Sequence, residues 1–378
     1  MTLLCVPPSD RSLHWLTGAV LLVLAAALPA CDSGGQEPTR DDGALQCSFP
    51  VEFLNEGSNR GSITPVDNPS LVSASEAEDV LPAFSNSDRV LALPPSFHES
   101  YNDTPLAIPL DVLFESEVMN LDGWADRPLA ISFCPLTSST LVFDRSAVDG
   151  ARFDVSGLLL NKDNEDHPGN LVMVDEGSGE SLWPQMSLGA VCGPDRGTTL
   201  TTLPAVEMRW QRWKELYPNT DVAIDGDATS NAGAGAPRAD ARPESATPAK
   251  DAPLGRVLGI PNRARVGGGT GGLAVPFQTL DDGAPVRVVE VTLNRENLVV
   301  FWNRDAWSAM VFKTASSFSV RNGQIVDEQT QSVWAVDGRA IEGARRGERL
   351  DPVDRAYISD GRAWFDFQPD TDEWEGSQ

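Results

Sequence analysis

The chain has 378 residues, and 55 Asp and Glu against 29 Lys and Arg give a formal net charge of −26. A carboxylate excess this large repels phosphate backbones and excludes nucleic acid as a partner. Three histidines (His14, His98, His167) are too few for a His-rich catalytic zinc site, and 32 glycines with 28 prolines describe a turn-rich, β-dominated chain rather than a helical bundle.

The first predicted element is an export signal. Residues 16–28 (LTGAVLLVLAAAL) form an apolar run behind Arg11, shorter than the ~20 residues a spanning helix needs. Leu28-Pro29-Ala30-Cys31 follows and resembles a bacterial lipoprotein lipobox, with Pro29 in place of the usual small residue. Residues 1–30 are therefore read as a lipoprotein signal peptide, with Cys31 as the acylated start of the mature chain. Residues 31–60 read as a tether, and acyl chains on Cys31 hold the protein on a membrane without a transmembrane helix. Removing the signal leaves Cys47, Cys134 and Cys192 as thiols. An odd number allows one disulfide and leaves one thiol unpaired, and spacing does not choose the pair.

Past the tether, a first lobe is expected over 61–223. Its strands include 129–133, 140–143 and 171–174, short runs of Val, Ile, Leu and Phe bounded by turn residues. Helices are expected at 110–120, from its apolar spacing, and at 206–217, just before Pro218. Residues 224–252 hold no aromatic side chain and read as a solvated linker. A second, degenerate copy is expected over 253–374, with strands at 286–293 and 298–302. Arg89-Val90-Leu91-Ala92-Leu93 returns as Arg256-Val257-Leu258-Gly259-Ile260, and Ala107-Ile108-Pro109 as Ala274-Val275-Pro276. Val142-Phe143 returns as Val311-Phe312, Trp183 as Trp334, and Trp213 with Pro218 as Trp364 with Pro369. Matches kept in one order imply an internal duplication. The fold class expected is α+β and β-rich, two related tandem lobes side by side with few short helices.

The chemistry-bearing residues gather in the first lobe. Ser132-Phe133-Cys134-Pro135-Leu136-Thr137 leads into Val142-Phe143-Asp144-Arg145, then Val155-Ser156-Gly157-Leu158-Leu159, Asn161 and Ser181-Leu182-Trp183-Pro184-Gln185. In this run the chain resembles the bacterial domain of unknown function 3179 family, well over about 60–223 and more loosely in the second copy. The resemblance implies no activity. It does imply that Thr137 stands where members carry a second Cys or a selenocysteine. It also implies that Ser116 replaces the His of a Trp-His-Glu-x-x-Asn helix, while Glu117 and Asn120 remain.

Cys134 and Thr137 are the catalytic candidates. A thiolate at a strand end beside hydroxyl or amide donors can be a nucleophile, and the bland alternative is an inert thiol behind an apolar strand. Glu117, Asn120, Ser156, Asn161, Trp183 and Gln185 are the candidate binding residues around it, expected to line a cleft in the first lobe. The acidic insertion 163–169 (DNEDHPG) reads as a hairpin tip or a hard-cation site without regular ligand spacing. The glycine run 267–272 lacks the Lys-Ser/Thr of a phosphate loop and reads as a flexible loop. Tryptophans 183, 210, 213, 334 and 364 read mainly as core or lobe-interface residues. No cofactor and no resident metal are expected. Two functions stay open: a non-catalytic envelope lipoprotein that binds a small molecule or an envelope protein, and a thiol-dependent redox or metal-handling enzyme using Cys134.

Overall fold

The computed structural model describes residues 46–95, 97–99, 101–161, 169–177, 181–225, 255–262 and 271–376. The signal segment 1–30, Cys31 and the tether to residue 45 lie outside the described residues. So do His167 with its acidic neighbours, linker residues 226–252 and the glycine run up to residue 270.

The chain is β-rich, with six sheets and five short α-helices among the described residues. Its strands are short and most are buried on both faces, because the runs carry apolar residues at odd and even positions alike. Leu129–Cys134, Ser139–Asp144 and Asn170–Asp175 are buried throughout. The second half supplies Val286–Leu293 and Glu296–Asn303, close to where hydrophobic patterning puts them.

Strand order recurs along the chain. In one sheet Val206–Arg209, Arg89–Leu93, Leu106–Pro109 and Asp221–Ile224 lie side by side, antiparallel except for the last neighbours, which are parallel. Tyr357–Asp360, Arg256–Pro261, Gly272–Pro276 and Thr371–Glu373 repeat that order and those senses. The meander of Val118–Leu121, Leu129–Cys134 and Ser139–Asp144 likewise has a counterpart in Val286–Leu293, Glu296–Asn303 and Ser308–Lys313. Small details recur too. The Trp183 indole N–H donates to Asp175 at 3.0 Å, and that of Trp334 to Asp327 at 3.1 Å.

Two of the three hydrophobic clusters are shared between the halves, while the third, around Ile260, Val300 and Trp302, lies wholly in the second half. One hydrophobic cluster joins Val90, Leu106 and Trp213 to Phe301, Phe312 and Trp334. Another joins Phe143, Phe153 and Trp183 to Val257, Ala274, Trp364 and Phe367. Two backbone hydrogen bonds cross the boundary in reciprocal positions, from Arg209 N–H to the Ala306 carbonyl at 2.9 Å and from Asp360 N–H to the Thr137 carbonyl at 2.7 Å. The described residues form one compact unit rather than lobes set side by side.

Buried charge also sits at this boundary. Glu207 accepts from Arg89 of its own sheet and from Arg256 of the other half, and Thr140 Oγ1 donates to it at 3.2 Å. Burial alone pushes the Glu207 carboxyl up, but the Arg256 and Arg89 guanidiniums outweigh it and hold the group below the ordinary carboxylate range.

Both expected helices are shorter than their apolar spacing suggests. The first covers Leu110–Ser116 and stops because Glu117 takes a left-handed φ of 56° with its N–H on the Leu113 carbonyl. Residues 118–121 then form a strand, since Val118 to Leu121 can all be buried against Leu129–Ser132. The second helix covers Trp210–Leu216, because residues 206–209 pair with Arg89–Ala92 instead. Tertiary pairing overrides helical periodicity in both cases.

Replacing Glu207 by Gln removes the carboxylate shared by the buried Arg89 and the partly buried Arg256 guanidiniums. Breaking a buried charge cluster on one side costs on the order of 3 kcal/mol. Urea unfolding of Glu207→Gln is expected to show a lower midpoint with an unchanged slope, and an unchanged midpoint contradicts this role for Glu207.

Candidate functional site

Side chains along Leu129–Cys134 alternate between two buried faces. Leu129, Ile131 and Phe133 join the cluster around Trp213, whereas Ala130 and Cys134 join the cluster around Trp183. Ser132 shares the parity of Cys134, so a polar group enters this second face. A turn through residues 135–138, with Ser138 at a φ of 47°, returns the chain as Ser139–Asp144, and Cys134 pairs with Ser139.

A fully buried polar cluster fills the space beside that pair. It comprises Ser132, Thr137, Ser139, Asn170 and Gln185, each with 0% exposure. The Thr137 and Ser139 hydroxyls lie 2.8 Å apart, and Ser139 Oγ donates to Gln185 Oε1. Asn170 Nδ2 donates to Thr137 Oγ1 at 3.1 Å and to Gln185 Oε1 at 3.0 Å. Gln185 Nε2 donates to Ser132 Oγ at 2.9 Å and to the Ser139 carbonyl at 3.1 Å, and the Met186 N–H donates to Asn170 Oδ1 at 2.9 Å. The side-chain amides of Asn170 and Gln185 thus donate and accept within the cluster, as buried amides must. Ser132, Ser139 and Asn170 escaped sequence reasoning. The available signal was their polarity at inward positions of otherwise apolar strands.

Cys134 closes the cluster on one side. The residue is 1% exposed, and its Sγ accepts the Leu171 N–H at 3.4 Å. Burial pushes the thiol pKa up, the Glu117 carboxyl nearby adds to this, and the Thr137 hydroxyl and two backbone amides only partly oppose it. Nucleophilic chemistry needs the thiolate, and this setting disfavours it. Glu117 is held by its backbone, for its carbonyl accepts the Phe133 N–H at 2.9 Å. Desolvation pushes its carboxyl up to about 7. Ser116, one residue earlier, donates its hydroxyl to the Val112 carbonyl at 3.0 Å and is buried.

Cys134, Thr137 and Gln185 therefore come together, with Glu117 beside the thiol, in packed interior rather than in a cleft. Asn120 and Ser156 are tied elsewhere, while Trp183 shares the apolar cluster of Cys134. Asn120 lies on a strand, not on a helix end, and ties Phe153 to Asp67 through bonds to the Phe153 backbone at 2.8 and 3.0 Å and to Asp67 at 2.8 Å. Ser156 donates to the Val172 carbonyl at 2.6 Å beside Gly157, whose φ is 82°. Asn161 gives its backbone N–H to Phe53, and Trp183 stands edge-on to Phe153 in the core. Cys47 and Cys192 form a disulfide, which leaves Cys134 as the free thiol among the described residues.

A protein-family model described as protein of unknown function (DUF3179) matches residues 60–371. The chain belongs to this family. The DUF3179 match runs through the second half as well as the first, so both halves are part of what defines the family here. No curated protein and no solved structure matches the chain.

The Glu117 carboxyl makes stability depend on pH. Below its ordinary value of 4.5 it is protonated in both the folded and unfolded chain; between 4.5 and about 7 only the unfolded chain ionises it, so stability falls as pH rises. Glu117→Gln is expected to flatten that fall and to stabilise the protein at pH 8 by on the order of 2 kcal/mol after allowance for partial exposure. Thermal unfolding from pH 4 to 8 checks it, and parallel curves for the two proteins refute it.

Proposed function

We propose that this DUF3179 protein is a cell-envelope lipoprotein held on a bacterial membrane through acylated Cys31, and that its folded body is a non-catalytic binding module. The sealing of Cys134 carries the second part. A thiol with 1% exposure, kept protonated by burial and by the neighbouring Glu117 carboxyl, has no access to a substrate. Thr137 supplies no second sulfur, and Ser116 stands where the resemblance calls for a histidine, with its hydroxyl committed to the Val112 carbonyl. Such a module takes a small molecule or another envelope component as its partner.

The anchor rests on the short apolar segment 16–28, the Leu28–Cys31 box and the polar tether after it. The Cys47–Cys192 disulfide is at home in an exported protein and adds support. We further read residues 61–223 and 253–374 as two copies of one ancestral unit joined by the linker 224–252. The repeated strand orders, the paired Trp–Asp hydrogen bonds and the reciprocal backbone bonds across the boundary support a duplication with pseudo-two-fold packing.

Both parts are tested on membranes from a lipoprotein-processing bacterium expressing the full chain. The protein is expected in the detergent phase, and Cys31→Ala is expected to move it to the aqueous phase or leave it unprocessed. In the native protein an alkylating probe near neutral pH is expected to spare Cys134 and to label it only after denaturation. Unchanged partitioning of Cys31→Ala refutes the anchor, and rapid native labelling of Cys134 refutes the non-catalytic reading.

A further inference from the structure

The second half repeats the strands around Cys134 but not the side chains that fill them. The Cys134–Ser139 strand pair corresponds to Asn303–Ser308. By the same correspondence Ala306 stands for Thr137 and Val336 for Gln185, so one hydroxyl and one carboxamide of the buried cluster have no counterpart. Space remains where they are missing. A cavity of about 170 Å³ opens between the helix Trp210–Leu216 and the second half, walled by Val286, Ala306, Ile325, Val333, Trp334 and Val336.

Volume limits what enters. A cavity near 150 Å³ holds benzene, whereas drug-sized or cofactor-sized ligands need several hundred Å³. The space thus takes a single ring or a branched alkyl group. Its walls are apolar, and the Trp334 indole is fixed by its bond to Asp327 at 3.1 Å. Arg212, Glu215, Asn303 and Gln324 are the polar members of the lining, and Asn303 is the one fixed by a hydrogen bond to the turn beside it. Asn303 uses its side-chain carbonyl on the Ala306 N–H at 2.9 Å, so what it can offer a ligand is its Nδ2 donor. Ser308, paired with Asn303 across the sheet, has a fully buried hydroxyl without a hydrogen-bond partner, which costs about 1–3 kcal/mol, but it does not line the cavity. Charge at the mouth sets the last condition. The lining's only charged groups, Arg212 and Glu215, are bonded to each other, so the cavity offers no free counter-charge and a charged ligand would be desolvated without a partner.

We propose that this cavity is a binding site for a small uncharged ligand, a ring or branched alkyl group carrying one hydrogen-bond-accepting oxygen. The apolar part sits against Trp334, Ile325 and Val336, and the oxygen accepts from Asn303. The proposal rests on the reading of the body as a binding module and names the half and the ligand chemistry that serve it. The first half keeps its equivalent space filled with hydroxyls and amides bonded to one another; the second half leaves room.

Benzyl alcohol and benzoate are suitable probes, titrated into the full chain by isothermal calorimetry and followed by protein NMR. Benzyl alcohol is expected to bind saturably near millimolar, as befits so few heavy atoms. Benzoate, of similar shape, is expected to bind at least about tenfold more weakly. Ala306→Leu fills the cavity and is expected to weaken benzyl alcohol at least about tenfold while leaving the thermal midpoint equal or higher. Val336→Phe, which fills it from another wall, serves if Ala306→Leu does not fold. Absence of saturable benzyl alcohol binding overturns the proposal, as does binding undiminished in the filled variant or benzoate binding as tightly. If benzyl alcohol fails while Cys134 stays sealed to alkylation, only this site is lost. Native labelling of Cys134 instead removes the non-catalytic reading, whatever the cavity binds.

Discussion

Glu207 ties the two halves together through buried charge. Its carboxylate is buried between Arg89 and Arg256, one from each half, and each half would bury a charge without it. Around that clamp the halves trade backbone hydrogen bonds and aromatic side chains, Trp213 with one set of sheets and Trp364 with another. Close approach is part of the same constraint. A Cβ on Gly259 would lie 2.1 Å from the Trp364 ring, so the strand Arg256–Pro261 can receive that indole only through a glycine. Separate lobes would expose these faces, and a shared core is the arrangement that covers them.

Much of the architecture was legible because apolar runs such as Leu129–Cys134 and Val286–Leu293 are flanked by turn residues and have no helical period. The recurrence of Trp183 as Trp334 and of Val142-Phe143 as Val311-Phe312 was legible too, and the matched residues occupy matching strands or their bonded neighbours. What could not be read was anything decided by long-range pairing. Residues 118–121 and 206–209 have apolar spacing that suits a helix, yet each found a strand partner. The disulfide partner of Cys47 was likewise out of reach, because it depends on the segment after Leu182 docking where Ser48 N–H meets the Val191 carbonyl at 2.8 Å.

The candidate site was half legible. Cys134, Thr137 and Gln185 do meet, but motif order cannot tell a cleft from a packed interior. The difference lies in Ser132, Ser139 and Asn170, three ordinary polar residues that complete a closed hydrogen-bond cluster. In the second half Ala306 and Val336 break the same arrangement, and the room appears there. One scaffold thus carries a sealed polar interior and an open apolar cavity, and the contrast comes from a handful of side chains. Buried polar groups that satisfy one another rigidify a core, whereas a cavity lined by methyls and an indole pays for its emptiness in lost packing.

The two halves fold as one body, with two of three hydrophobic clusters shared between them. Differential scanning calorimetry of the intact, oxidised chain tests it most directly, with native-state hydrogen exchange on the strands around Val90 and Val257 as the residue-level readout. One transition is expected, its calorimetric and van't Hoff enthalpies in a ratio of about 1, with both strands exchanging only through global unfolding. Two resolved transitions, with one half's strand exchanging while the other remains protected, would contradict it.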